Sequence, residues 1–169
     1  RRDQAVLAAV IDELDRGGVQ LMDSTTFIAD QLASDGVMGT VQPSSMHQAD
    51  IDFAWPLLTQ TSHLDIGQSM AVRERDVIAV EAIEGTDRMI ERAGSLCRAK
   101  GWTLLKTAAV DHDRRADVPS IGVSTVQALA NAGGGCIALG AGRVILIDKE
   151  AVLAAADESG IAIVGVSSS

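Results

Sequence analysis

Residues 124–166 read STVQALANAGGGCIALGAGRVILIDKEAVLAAADESGIAIVGV. Helical patterning over 124–132 and again over 149–156, the second capped by Asp148, alternates with apolar runs at 136–139, 143–147 and 161–166. Strands alternating with helices of this length predict an α/β fold, with a mainly parallel or mixed sheet and helices packed on it. Gly133, Gly134 and Gly135 follow a helix and precede a strand, so they read as a helix exit and turn rather than a phosphate-binding loop, which would open a helix.

Upstream the same alternation continues. Residues 102–106 read as a strand, and Thr86 can cap a helix whose stripe is Met89, Ile90, Ala93, Leu96 and Cys97, ending near Lys100 and Gly101. Residues 69–73 and 77–82 read as a hairpin around Glu74, Arg75 and Asp76. Between 35 and 63 the periodicity breaks at Gly36, Gly39, Pro43, Ser44, Ser45 and Pro56, leaving an expected connector with one short helix over 51–58. Residues 3–16 form an amphipathic pattern of Val6, Leu7, Val10, Ile11 and Leu14 that Gly17 and Gly18 stop. A short strand at 19–22 and a helix from Asp23 to about residues 32–34 are expected next, and residues 167–169 read as a frayed tail.

Composition narrows the function classes. The chain has 169 residues and a net charge of −9, with no basic run, which argues against nucleic-acid binding through backbone neutralisation. No apolar stretch approaches the roughly 20 residues of a membrane span. With two tryptophans, two phenylalanines and no tyrosine, the core must come from Val, Ile, Leu and Ala. Cys97 and Cys136 are far apart and unaccompanied by clustered histidines, so they read as buried thiols rather than a zinc site or a disulfide.

Three polar clusters could carry chemistry. The first runs from Asp111 to Pro119 after the strand that ends at Lys106, and so lies beyond a strand's carboxyl end, where open α/β sheets bind ligands. Asp111, Asp113 and Asp117 at spacings of two and four could gather a hard cation, with Arg114, Arg115 and Lys106 holding phosphate oxygens. The same residues also read as a solvated loop with internal Asp–Arg pairs, and His112 as a base or as the partner of its acids. The second cluster, Glu81, Glu84, Gly85, Thr86 and Asp87, runs from a strand end through a glycine into a helix start. That site suits a cation-bridged phosphate or a sugar hydroxyl, or is simple dipole compensation. The third is Asp65-Ile66-Gly67-Gln68-Ser69, where Gln68 can donate and accept. His47 and His63 read as surface residues, and no P-loop, G-x-S-x-G or H-E-x-x-H motif occurs.

Asp65-Ile66-Gly67-Gln68, the run Ile78-Ala79-Val80-Glu81-Ala82-Ile83-Glu84-Gly85-Thr86-Asp87 and Asp113-x-Arg115-x-Asp117-x-Pro119-x-Ile121-Gly122 together resemble the UDP-2,3-diacylglucosamine pyrophosphatases of the LpxI family. The likeness continues through residues 143–150 and 154–166 and covers the family's C-terminal part. It implies three segments: 1–36 as the end of an N-terminal α/β domain, 37–64 as a connector, and 65–169 as the C-terminal α/β domain. The opening Arg1-Arg2, without Met, fits a piece of a longer chain.

The resemblance also implies Mg²⁺-assisted hydrolysis of UDP-2,3-diacylglucosamine to UMP and 2,3-diacylglucosamine 1-phosphate in lipid A synthesis. Asp113 and Asp117 would be metal ligands or general base, and Lys106 and Arg115 would offset phosphate charge. Gln68, Glu81, Glu84, Gly85, Thr86 and Asp87 would bind substrate. Implied too are a lipid-linked nucleotide-sugar substrate and a cytoplasmic location at or near the inner face of the membrane; self-association through exposed apolar surface is compatible with this. The alternative is a non-catalytic domain that binds a nucleotide sugar or other phospho-ligand. The chain departs from the family pattern, which usually has a Gln where His112 stands, a second basic residue near Ala109 and a Glu near Gly140.

Overall fold

The computed structural model of the protein describes residues 2–109, 112–115 and 117–167. Asp111, Ser168 and Ser169, on which the sequence reading also drew, lie outside the described residues. The elements in chain order are α1 (Arg2–Arg16), a 3₁₀ turn (Ala29–Gln31), β1 (Gly36–Met38), α2 (Ser45–His63), β2 (Ser69–Arg73), β3 (Asp76–Val80), α3 (Thr86–Leu96), β4 (Trp102–Lys106), β5 (Ser120–Ile121), α4 (Val123–Ala132), β6 (Gly134–Gly140), β7 (Ile145–Leu146), α5 (Lys149–Glu158) and β8 (Ala162–Val166).

Six strands form one sheet in the order β1-β8-β6-β4-β2-β3. The three central strands β4, β6 and β8 are parallel, and β1, β2 and β3 are antiparallel to their neighbours, so the sheet is mixed. The apolar alternation of the central strands fixes both faces. Leu104, Ile137, Leu139 and Ile163 point to the layer holding α3, α4 and α5, while Leu105, Cys136, Ala138, Ala162 and Val164 point to α2 through Ile51, Ala54 and Leu58. A second, two-stranded parallel sheet pairs β5 with β7.

The hairpin, β4, β6, β8, α4 and α5 lie where the sequence places them, with Asp148 capping α5 and Gly133 closing α4 in the left-handed region. Four expectations are corrected. Residues 19–22 form no strand, because no neighbouring chain offers them a ladder and Val19 and Met22 stay exposed. Residues 24–34 do not make a helix. The Asp23 carboxylate accepts the Thr25 N–H and hydroxyl at 2.8 and 2.6 Å, and the Asp23 carbonyl accepts from Thr26. That local turn competes with a helix start. Residues 143–147 contribute only the two-residue β7, and α3 stops at Leu96 rather than near Lys100.

The stretch expected as an irregular connector instead holds β1 and the 19-residue α2. Ser44 and His47 close a capping box at its start, with the Ser44 N–H donating to His47 Nδ1 at 3.3 Å. His47 Nε2 must therefore carry the proton it shares with the Gly101 carbonyl at 3.0 Å, so this histidine is a built-in cap rather than a surface residue. Pro56 sits on the exposed side of α2, where water can satisfy the carbonyl that its missing N–H leaves free.

Candidate functional site

The register of the sheet places Ser69 of β2 directly opposite Lys106 of β4. The ladder then continues past the strand ends, with the Glu81 N–H donating to the Ser69 carbonyl and the Thr107 N–H to the Gln68 carbonyl. Gly67 permits this closeness: a Cβ there would lie 1.9 Å from the Glu81 carbonyl oxygen. Gly85, at φ +85°, then turns the chain into α3 and delivers Thr86 as its first residue.

These elements converge on one hydroxyl. Lys106 Nζ donates to Thr86 Oγ1 at 2.6 Å, and Thr86 Oγ1 donates to Glu81 Oε2 at 3.2 Å. Because the Thr86 proton is committed to Glu81, Ser69 must be the donor in its 3.3 Å contact with Thr86. Lys106 is 4% and Glu81 5% exposed. Burial pushes the Lys106 ammonium below its usual range, and Glu81, Asp87 and Asp117, in that order, oppose the shift. A desolvated cation thus sits at the end of β4 among three carboxylates.

Two open spaces meet at Gly85. One, of about 730 Å³, is lined among others by Gly67, Gln68, Glu81, Ile83, Ala109, His112 and Asp117. The other, of about 530 Å³, is lined by Lys106, Thr86, Asp87 and Arg88 on one side and by Ser120, Gly122, Ser124 and Thr125 on the other. It therefore lies between the N-termini of α3 and α4, where free N–H groups favour an anion. A third space of about 280 Å³ joins the first at Asp117 and His112 and is walled by Leu7, Ala8 and Ile11 of α1.

The residues expected to act from the loop after β4 are divided. Asp117 faces both the first and third spaces, and its carboxylate is 3.9 Å from His112 Nε2, which also contacts the Asp117 carbonyl at 3.0 Å. His112 is thus paired with its acid, one of the two roles open to it. Asp113 is held in a fork by Arg115, with Nε to Oδ1 at 3.0 Å and Nη2 to Oδ2 at 2.8 Å. This pairing holds the Asp113 carboxyl down at about 2 and raises the guanidinium of Arg115. The internal Asp–Arg reading of this loop is therefore realised at Asp113.

Arg114 lines none of these three spaces; it bonds Thr25 and pairs with Asp23. Glu84 lines the second space with Lys106, but its carboxylate is engaged elsewhere. It pairs with Arg92, accepts the Ala82 N–H at 3.1 Å, and is held below the usual carboxylate range chiefly by Arg92. Among the described residues no group of three metal-ligating side chains converges. The Asp117 carboxylate, about half exposed, lies 3.9 Å from His112 and opens onto two spaces, whereas Asp113 has both oxygens engaged. Mg²⁺ commonly takes one or two carboxylates and completes its shell with water and phosphate oxygens, so Asp117, with Asp113 once freed from Arg115, is the pair that would hold it.

Sequence reasoning did not single out Ser69, Arg88, Ser124 or Thr125. Ser69 stood in a quoted motif with no sign of its partner, and the Gly-Val-Ser-Thr start of α4 carried only the signal of a helix opening. At Gly140 a Cβ would lie 2.3 Å from Thr107 Oγ1, so any side chain there would have to displace the Thr107 side chain.

The family model for the LpxI C-terminal domain matches residues 34–164. The UDP-2,3-diacylglucosamine pyrophosphatase LpxI of Caulobacter vibrioides is 37% identical over 97% of this chain, and the chain spans 61% of that relative's length. No helix among the described residues is long and apolar enough to cross a membrane. With that family model matching most of the chain and a relative 37% identical across nearly all of it, the chain belongs to the LpxI family through its C-terminal domain.

Proposed function

We propose that the gene product carrying this chain hydrolyses the pyrophosphate of UDP-2,3-diacylglucosamine, releasing UMP and 2,3-diacylglucosamine 1-phosphate. The observation that carries this reading is Lys106, a nearly buried cation fixed by Thr86 on the wall of the second ligand-sized space, with Asp117 within its electrostatic reach. Pockets of a few hundred Å³ are the usual size for a small-molecule site. Water attacks one phosphorus, the bridging P–O bond breaks, and each phosphate leaves with its own half of the substrate. Lys106 offsets the charge that develops on the phosphate oxygens, and the N–H groups opening α3 and α4 add to it. Asp117, whose carboxylate is open to the first space, accepts the proton of the attacking water.

Gln68, Gly85, Thr86 and Asp87 line or border the two spaces and orient the substrate, and Glu81 holds Thr86 in place. Arg115 serves the phosphates only when it leaves Asp113. A divalent cation, when bound, would be held by Asp117 and a released Asp113 and would polarise a phosphoryl oxygen. An acylated substrate brings the protein to the cytoplasmic face of the inner membrane.

The test is UMP release with Mg²⁺ and with EDTA, run on this chain and on the longer gene product. Release that needs Mg²⁺ supports the proposal, and release by the longer protein alone means that further sequence completes the site. No release by either folded protein overturns it. The closed Asp113–Arg115 fork favours a second reading, a phospho-ligand binding domain. It predicts a ligand-dependent rise in Tm with no UMP formed.

A further inference from the structure

We propose that Asp23, Ser24 and Thr25 clamp Arg114 and thereby position the loop that carries Asp113 and Asp117, an inference that rests on the pyrophosphatase reading. This loop runs from β4 to β5 and is tied to the sheet at its two ends, through the Thr107 N–H to the Gln68 carbonyl and the Pro119 carbonyl to the Ile145 N–H. Between those ties the described residues 112–115 and 117 lie outside helix and strand, with His112 bonding the Ala109 carbonyl through its N–H and contacting the Asp117 carbonyl at 3.0 Å.

The segment after α1 adds a constraint from outside the loop. The Arg114 carbonyl accepts two hydrogen bonds from Ser24, its N–H at 3.1 Å and its hydroxyl at 2.7 Å. The Arg114 guanidinium donates to Thr25 Oγ1 and lies 3.3 Å from Asp23 Oδ2. These contacts bridge 89 to 91 positions of sequence, so they tie one part of the fold to another rather than neighbours along the chain.

The clamp is itself rigid. Asp23 Oδ1 accepts both the N–H and the hydroxyl of Thr25, which is only 4% exposed, and so the carboxylate cannot swing away from Arg114 without breaking its own turn. Arg115 adds a weaker tether to Asp15 of α1 at 3.6 Å. Arg114 lies between Asp113 and Arg115, so fixing its backbone carbonyl fixes where both neighbours start, and Asp117 follows three residues later. Arg114, Asp23, Ser24 and Thr25 are positioning residues: none needs to touch substrate.

The test compares Thr25→Val, Thr25→Ser and Asp23→Asn in the gene product that carries this chain, with Glu13→Ala as a control that breaks only the exposed Glu13–Arg16 pair. Two readouts are followed, steady-state UMP release and amide hydrogen exchange at residues 112–115. Thr25→Val and Asp23→Asn should speed exchange at those amides and lower kcat about tenfold, because a small misplacement of reacting groups is costly. KM should stay within about twofold if substrate binding is intact. Thr25→Ser, which keeps the hydroxyl, should restore both, and Glu13→Ala should change neither.

Unchanged exchange in Thr25→Val and Asp23→Asn overturns the clamp. Faster exchange with wild-type kcat overturns its positioning role, as does a loss of activity that only follows the folded fraction. A folded wild-type protein that releases no UMP overturns the pyrophosphatase reading and the positioning role together, with exchange still reporting whether the loop is held.

Discussion

Lys106 has given up nearly all its water at the end of β4, and one hydrogen bond to Thr86 with three nearby carboxylates stands in for it. If its charge stabilises the transition state, Lys106→Met should lower kcat by at least about a hundredfold, as loss of one preorganised electrostatic group typically does. Burial lowers the proton affinity of this amine, so the alkaline limb of the pH–rate profile should fall below the ordinary lysine value of 10.5, and in Lys106→Arg that limb should move up. A profile flat to pH 10.5 would remove Lys106 from the reaction. Asp113 behaves oppositely. Its folded value is depressed to about 2 by Arg115, so whatever it adds to stability is complete above pH 3.8 and is lost only as the pH falls toward 2. An acid limb seen between pH 4 and 7 should therefore survive in Asp113→Asn. Asp113→Ala and Asp117→Ala should each remove most activity with little change in Tm, since both carboxylates are about half exposed. Unfolding of either variant would make that residue structural.

At the scale of elements, the hairpin and α3 decide whether the cluster exists at all. Gly67→Ala would force a methyl group against the Glu81 carbonyl, and backbone rather than a flexible side chain has to move. A cost of about 3 kcal/mol is expected, read as a lower urea midpoint, with loss of activity beyond the loss of folded protein because Glu81 holds Thr86. An unaltered midpoint would mean that β2 and β3 separate more easily than their pairing suggests. The same elements show what periodicity conveys. Continuous apolar runs at 136–139 and 161–166, with the strand reading of 102–106, were enough to place β4, β6 and β8. The 37–64 stretch was not legible, because its glycines and prolines are local breakers whose effect depends on position: Pro56 happens to fall on the solvent side of a helix. The two-residue β5 carries no periodic signal, and it forms because β7 lies beside it.

Across the whole molecule, Cys136 lies in the central strand β6 between the sheet and α2, with its thiol pushed up to about 12 by burial and then by Asp50. Its reaction with a thiol reagent at pH 8 should therefore track global unfolding in urea, whereas the partly exposed Cys97 should react in the native state. Equal rates for the two would show that β6 opens locally. The sequence by itself determined the α/β class, the central parallel strands and the chemical character of the site, because strand and helix periods, capping residues and charge are properties of neighbouring positions. Only the tertiary structure decided which acids face Lys106 and which are paired off. Glu84 turns to Arg92, Asp113 to Arg115 and Arg114 to Asp23 and Thr25, while Ser69, Glu81 and Thr86 close around the lysine. Those choices follow from sheet register and from contacts across some ninety positions of chain, where desolvation and geometry rather than local spacing set the partner.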